Sequence, residues 1–81
     1  MKIKYIKWQD AGSIEGWVKI KNLDSNLSII DSIGFVSKET DEAIWLAGTI
    51  NFDDEHDDSC ACVIVIPKKM IVYEKEIIFD R

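Results

Sequence analysis

The sequence predicts an all-β domain of five short antiparallel strands, and three observations support this prediction. Apolar and polar residues alternate with a period of two along several stretches, most clearly over residues 44–52. Turn-forming residues separate these stretches at short intervals. The one stretch with a roughly helical pattern, residues 14–26, is interrupted by a row of helix-breaking residues. The 81 residues are enough for one small domain, residues 1–81, and leave no room for a second.

The predicted strands and turns follow one another in order along the chain. The strands cover residues 2–8, 27–38, 44–52, 60–66 and 71–79. Gly34 lies where the long second strand must bend or approach a neighbour closely. The polar segment 39–42 forms the turn into the third strand. Pro67 ends the fourth strand and begins a single tight turn that leads into the fifth.

Residues 14–26 are predicted to form an irregular excursion with one helical turn. An excursion of this length needs an apolar anchor. We therefore expect Trp17 to fold back as a lid over an open end of the sheet.

Alternation along the third strand predicts both a core face and an opposite face. The core face is expected to carry Ile44, Leu46, Gly48, Ile50 and Phe52. Trp45 falls on the opposite face, and Trp8 falls on the face opposite Ile3 and Tyr5. Trp8, Trp17 and Trp45 are therefore either covered by the rest of the barrel or form a surface for a partner or ligand, where tryptophan is enriched.

Five short strands of this order fit a small, closed or partly closed barrel. The plan resembles the SH3-like and Sm-like barrels, whose fourth and fifth strands are joined by a one-turn 3₁₀ helix of the kind that residues 67–70 would provide. RNA binding is not carried over from the Sm-like proteins. The chain lacks their base-binding asparagine, and it has Ile66-Pro67-Lys68 where they carry an Arg-Gly pair.

Four short patterns taken together resemble a group of small uncharacterised proteins encoded in phage and prophage genomes. The patterns are Trp8-x-Asp10-Ala11-x-Ser13-x-x-Gly16-Trp17, Ile33-Gly34-Phe35-Val36-x-Lys38-Glu39-Thr40-Asp41, Leu46-Ala47 and Ile66-Pro67-Lys68-x-x-Ile71. The resemblance covers most of the chain. The group carries no agreed activity, so the resemblance implies a setting, the cytoplasm of a phage host, with countering of host defence as a role. It does not imply a mechanism.

The net charge of −5 is concentrated in one part of the chain. Residues 1–38 sum to +2, residues 39–58 to −8 and residues 59–81 to +1. An acidic field repels phosphate backbones, so we expect no general nucleic-acid binding. The run 53–58 is expected to be a solvated loop.

The two cysteines are predicted to be free thiols. Cys60 and Cys62 are two residues apart in one predicted strand, about 6.5 Å from each other, which is awkward for a disulfide. The chain has no signal-peptide pattern and no apolar run of about 18 residues that would span a bilayer. We therefore expect a protein of the reducing cytoplasm that does not enter a membrane.

Metal binding and catalysis are not expected. His56, Cys60 and Cys62, with Asp57 or Asp58, are nominally enough for zinc, but Cys-x-Cys within a strand does not aim both sulfurs at one ion. The chain has one histidine and neither a phosphate-binding loop nor a nucleophile elbow. We therefore expect no metal, no cofactor and no enzymatic activity.

Three hypotheses for function stay open at this point. A domain with so thin a core often relies on oligomerisation. The preferred hypothesis is a non-enzymatic accessory protein that self-associates through its fourth or fifth strand and binds a host protein or small ligand at a Trp-lined, partly acidic surface. The second is a nucleotide-sequestering oligomer that uses Lys68, Lys69 and tryptophan side chains. The third is a metal-dependent regulator that uses His56, Cys60 and Cys62.

Overall fold

The computed structural model describes residues 1–10, 17–23, 28–52 and 58–78. The strands are β1 (Ile3–Asp10), β2 (Ser28–Glu39), β3 (Ala43–Asn51), β4 (Ser59–Pro67) and β5 (Ile71–Ile77). Two single-turn 3₁₀ helices cover Ile20–Asn22 and Lys68–Met70. Every strand pair is antiparallel. The predicted all-β architecture of five antiparallel strands is therefore confirmed.

The five strands form one sheet in the order β4-β3-β2-β1-β5, with β2 at its centre. Residues 28–35 of β2 pair with β1, and residues 35–39 pair with β3. A register shift between Val36 and Lys38 bends β2 between these two halves. Gly34 is needed beside the bend, because a Cβ atom there would lie 2.8 Å from the carbonyl oxygen of Ala47. The predicted close approach at Gly34 is thus present.

The sheet is strongly curled, because a short turn joins its two edges. Pro67 ends β4 and Ile71 begins β5, and four residue steps span at most about 14 Å. Five strands in a flat sheet would place the edges about 19 Å apart. The backbone N–H of Lys68 also donates a hydrogen bond of 2.8 Å to the carbonyl oxygen of Glu42, which holds the turn against the β2–β3 turn. The predicted tight turn after Pro67 is therefore confirmed, and it imposes the curl.

The hydrophobic core lies inside this curl. Ile6, Ile44, Leu46 and Ile66 are at most 2% exposed, and burial of each such side chain contributes about 1.5–3 kcal/mol. Three partly buried side chains pack around them, namely Trp8, Val36 and Ile71. The core thus joins all five strands but contains few side chains.

The curled sheet is not a closed barrel. β4 and β5 lie at opposite ends of the strand order and do not pair with each other. In the part of the chain that the structure describes, β4 and β5 therefore each keep one free strand edge, and the likeness to SH3-like and Sm-like barrels stays a prediction.

The second half of β3 leaves the core, which corrects part of the predicted core face. Ile44 and Leu46 are buried as predicted, but Gly48 and Phe52 are exposed and Ile50 is only half-buried. The reason is that β3 pairs with β2 only as far as Ala47, whereas its pairing with β4 continues to Asn51. Gly48–Asn51 and Ser59–Cys62 thus form a two-stranded extension, the β3–β4 ribbon, and no third strand lies beside it among the described residues.

The prediction that Trp17 covers an open end of the sheet is wrong. Its side chain is fully exposed, and Ile20 and Leu23 nearby are exposed as well. The core needs no lid from this segment, because Trp8 packs directly against it. The predicted helical turn is present as the 3₁₀ helix Ile20–Asn22. The rest of the predicted excursion lies outside the described residues.

Candidate functional site

The face of the sheet opposite the core, here called the outer face, carries several accessible apolar side chains, although Ala47 on it is buried. Lys7, Asp31 and Lys75 lie on the same face. Tyr5 pairs with Ile33, Phe35 with Ala47, and Trp45 with Val65, and all of these alternate with core residues along their strands. Ile33, Tyr73 and Val65 are 64%, 54% and 48% exposed. A two-sided apolar sheet with one uncovered face is typical of a contact surface.

Two tyrosines form an aromatic contact on the outer face. The rings of Tyr5 and Tyr73 meet edge to face, with centroids 6.2 Å apart and planes at 80°. The Tyr5 hydroxyl donates a hydrogen bond to the Asp31 carboxylate, and this bond raises the pKa of Tyr5. A shallow groove of about 220 Å³ lies beside them, lined by Tyr5, Asp31, Ser32 and Ile33. This end of the outer face therefore offers fixed aromatic surface next to one carboxylate.

Trp45 lies on the outer face, as its position in the alternation predicts. Its ring is half-buried, and the Lys38 ammonium lies 4.9 Å from the ring centroid. Its carbonyl oxygen accepts a hydrogen bond of 3.1 Å from the Ser37 hydroxyl at the bend of β2. The Lys38 ammonium thus contacts the ring, the Ser37 hydroxyl fixes the backbone that carries it, and the ring presents part of its surface to solvent.

The other two tryptophans do not join Trp45 on one surface. Trp8 packs against the core on the inner face, and its ring N–H donates a hydrogen bond of 3.1 Å to the Ser32 hydroxyl. The core face of β1 is therefore the one that carries Ile6 and Trp8, and the face of Tyr5, which was predicted to lie opposite Trp8, points outward. Trp17 is exposed in the segment after β1.

Lys68 and Lys69 line a groove of about 340 Å³ together with Asp41, Glu42 and Pro67. The Lys68 ammonium forms an ion pair of 2.7 Å with Glu39. This hydrogen bond from Lys68 lowers the pKa of Glu39. The two lysines thus face two carboxylates in the groove and a third in the ion pair, which leaves little net positive charge for a phosphate.

Cys60 and Cys62 lie in β4 as exposed, free thiols. Cys62 has a φ of 57°. This is the left-handed backbone conformation, which residues other than glycine rarely adopt. His56 lies outside the described residues. Within the described ranges, no three histidine, cysteine or acidic side chains come close enough to hold a metal ion.

The two free edges of the sheet differ in charge. β4 contains no charged residue from Ser59 to Pro67, and only Ile66 within it is buried. β5 carries three charged side chains, Glu74, Lys75 and Glu76. Natural sheets protect their edges with charged side chains, bulges and prolines. By that measure β5 is protected, and β4 is open to pairing along most of its length.

The sequence reasoning missed the outward-facing tyrosines and Ile33. Period-2 alternation in β1 was visible, but it does not say which of two mixed faces is buried. The pairing of β1 with β5 brings Tyr5 and Tyr73 together from opposite ends of the chain, and no local pattern reports such a pairing.

Comparison with models of protein families, with curated proteins and with solved structures finds no match to this chain. None of the helical segments in the described ranges has the length and apolar character needed to cross a membrane.

Proposed function

We propose that this protein is a non-enzymatic accessory protein, of the phage-encoded kind that its sequence resembles, which self-associates and binds a host protein or small ligand. The observation that carries the proposal is the uncharged, exposed β4 edge beside the apolar outer face. By this proposal the protein works in the host cytoplasm, where countering host defence is its role.

Self-association compensates for the small core. Four fully buried side chains contribute only about 6–12 kcal/mol before the cost of ordering the chain is subtracted. The exposed Val63, Ile64 and Val65 on β4 would gain further burial from a neighbouring strand. A neighbouring copy would also give the open sheet the strand pairing that a closed SH3-like or Sm-like barrel provides within one chain.

Ligand or protein binding is assigned to the outer face. Trp45 and Tyr73 are partly exposed aromatic side chains, and such residues dominate the binding energy of protein interfaces. Trp45 is held by Lys38, and Tyr73 packs against Tyr5. Side chains fixed in this way lose little conformational entropy on binding.

The nucleotide-sequestering alternative has weaker support. Its groove contains Lys68 and Lys69, but Lys68 is already paired with Glu39, and Asp41 and Glu42 line the same groove. A phosphate would have to displace these carboxylates or bind beside them. A thermal-shift screen with mono-, di- and cyclic nucleotides tests it, because a bound ligand must raise the melting temperature.

Native mass spectrometry of the protein recovered from its host cell tests the preferred function. We expect a mass that is a multiple of the chain mass, with additional mass where a ligand or protein is retained. The double variant Trp45→Ser/Tyr73→Ser should lose the partner but keep the multimer, because neither residue is part of β4 and the backbone edge that pairs stays intact. A strict monomer that carries no partner over a wide range of concentration would contradict the proposal.

A further inference from the structure

We infer that β4 of one chain pairs with β4 of a second copy, antiparallel, about a two-fold axis near Val63. The inference rests on the proposed self-association and names the surface, the partner and the direction of pairing. Its basis is the charge distribution at the two ends of β4.

The β4 edge is the better candidate of the two free edges. A second copy that pairs with β5 would bring its own edge against Glu74, Lys75 and Glu76. A second copy on β4 meets nine residues without charge. Half of the backbone N–H and C=O groups of an edge strand point away from its sheet, so an antiparallel neighbour satisfies them without displacing any ion pair.

The direction of pairing follows from the charges that flank β4. The acidic run 53–58 directly precedes the strand, and Lys68 and Lys69 directly follow it. Asp58 and Lys69 are both exposed, and within the described part of the chain Lys69 forms no ion pair. An antiparallel pair places the acidic end of each strand at the basic end of the other. A parallel pair would place the two acidic runs side by side, which is destabilising.

Full overlap of the two strands fixes the register. The middle residue of Ser59–Pro67 is Val63, so Val63 lies opposite itself, Ala61 lies opposite Val65, and Asp58 lies opposite Lys68. The positive φ of Cys62 bends each strand next to the axis. The extended segments 59–61 and 65–67 on either side of that bend then face each other across the two copies.

The dimer extends the outer face across both copies. Val63 and Val65 lie on the outer face, and Ile64 lies on the inner face with Leu46. Edge pairing buries these three side chains, which are 40–48% exposed in one chain. It also makes a continuous ten-stranded sheet from two five-stranded ones, a self-complementary contact that closes at two subunits.

Single-cysteine cross-linking tests the register. In a Cys60→Ser/Cys62→Ser background, we expect Val63→Cys to oxidise rapidly to a disulfide-linked dimer, because directly opposed residues of an antiparallel pair are about 4.5–5.5 Å apart at Cα. A mixture of Ala61→Cys and Val65→Cys chains should cross-link, while neither alone should. Val72→Cys, in β5 and 57% exposed, is the matched control and should stay monomeric on a non-reducing gel.

The outcomes separate this inference from the proposed function. A multimeric native mass without cross-linking at Val63 overturns the β4 pairing but leaves self-association standing. Self-linking of both Ala61→Cys and Val65→Cys would show parallel pairing, and linking at Val72→Cys would show the β5 edge. Either of these also overturns the inference. A strict monomer overturns both proposals.

Charge reversal gives a second readout that does not depend on cysteines. Lys69 directly follows Lys68, which lies opposite Asp58 and is already paired with Glu39. Asp58→Lys and Lys69→Glu should each raise the dimer Kd by about three- to tenfold, because the approach of Asp58 to this basic end occurs twice across the axis and each exposed ion pair is weak. The double variant should return close to the Kd of the unsubstituted protein. High salt should remove the differences. If the two losses of dimer binding free energy simply added in the double variant, the result would contradict the antiparallel arrangement.

Discussion

The curled part of the sheet and the β3–β4 ribbon share two strands, β3 and β4, but the side chains of these strands have different surroundings in the two regions. In the curled part, Ile44 and Ile66 lie opposite each other and are fully buried. In the ribbon, Ile50 lies opposite Cys60 with equally regular alternation, yet Ile50 is only half-buried and Cys60 is exposed. The difference comes from β2, which accompanies β3 only as far as Ala47. For the side chains of β3, burial thus requires a strand on both sides of β3 as well as an apolar pattern.

Truncation of an isoleucine in each region should give the largest contrast. Ile44→Ala leaves a cavity in a core of four side chains and should lower the free energy of unfolding by about 2–5 kcal/mol. Ile50→Ala, in the same strand and the same alternation, should lower the free energy of unfolding by less than about 1.5 kcal/mol, because the Ile50 side chain is already partly exposed to solvent. Urea unfolding of both variants measures the two values. Equal losses would show that the ribbon is as well packed as the curl.

Substitution of a glycine by alanine should likewise destabilise the protein more in the curled part, at Gly34, than in the ribbon, at Gly48. Gly34→Ala places a Cβ atom 2.8 Å from the carbonyl oxygen of Ala47, which the backbone cannot avoid without shifting, and should cost about 1–3 kcal/mol. Gly48→Ala meets the Cβ atom of Cys62 at 3.2 Å, where the ribbon is free to adjust, and should cost less than about 1 kcal/mol. Thermal unfolding of the pair tests this order. A greater loss in Gly48→Ala would place the tighter packing in the ribbon.

Substitution of each cysteine by glycine should distinguish the effect of backbone strain on stability from the effect of removing the side chain. Cys62→Gly relieves a left-handed conformation that costs about 1–2 kcal/mol, so its stability should be unchanged or up to about 1 kcal/mol higher. Cys60→Gly has no such relief and should lose about 0.5–1 kcal/mol through the flexibility of glycine in a strand. Comparison of their urea midpoints decides. A Cys62→Gly variant that loses as much as Cys60→Gly would argue against strain at Cys62.

The smallest expected effect is a dependence on acid pH through Glu39. Its folded pKa is lowered by the hydrogen bond from Lys68, so the ion pair stabilises the fold above the ordinary glutamate pKa. This contribution is lost as the pH falls through the lowered pKa. Because the pair is exposed, it should amount to less than about 1 kcal/mol. In Glu39→Gln this part of the acid slope should disappear, whereas a slope equal to that of the unsubstituted protein would mean that the pair contributes nothing.

The fold class could be predicted because its signals are local. Alternation along β3, the close approach at Gly34 and the stop at Pro67 each depend on a few neighbouring residues. The lid at Trp17 was predicted wrongly, because the sequence cannot show that Trp8 already packs against the core.

The candidate surface could be predicted only in part, for a related reason. Trp45 was placed correctly by its alternation with Ile44 and Leu46. Tyr5, Ile33 and Tyr73 share a face only because β1 pairs with both β2 and β5, and these pairings join distant parts of the chain. The extent of the ribbon likewise depends on where the β2–β3 pairing ends, which follows from the bend in β2 and not from β3 itself.

Residue-resolved amide hydrogen exchange at low and high protein concentration tests the central claim, that β4 is the open edge of the sheet, most directly. Pairing with a second copy protects the outward backbone N–H groups of the strand involved. We predict that protection in residues 59–67 rises with concentration, while protection in residues 71–77 of β5 stays constant. A rise confined to β5, or no change in either strand, would contradict the account.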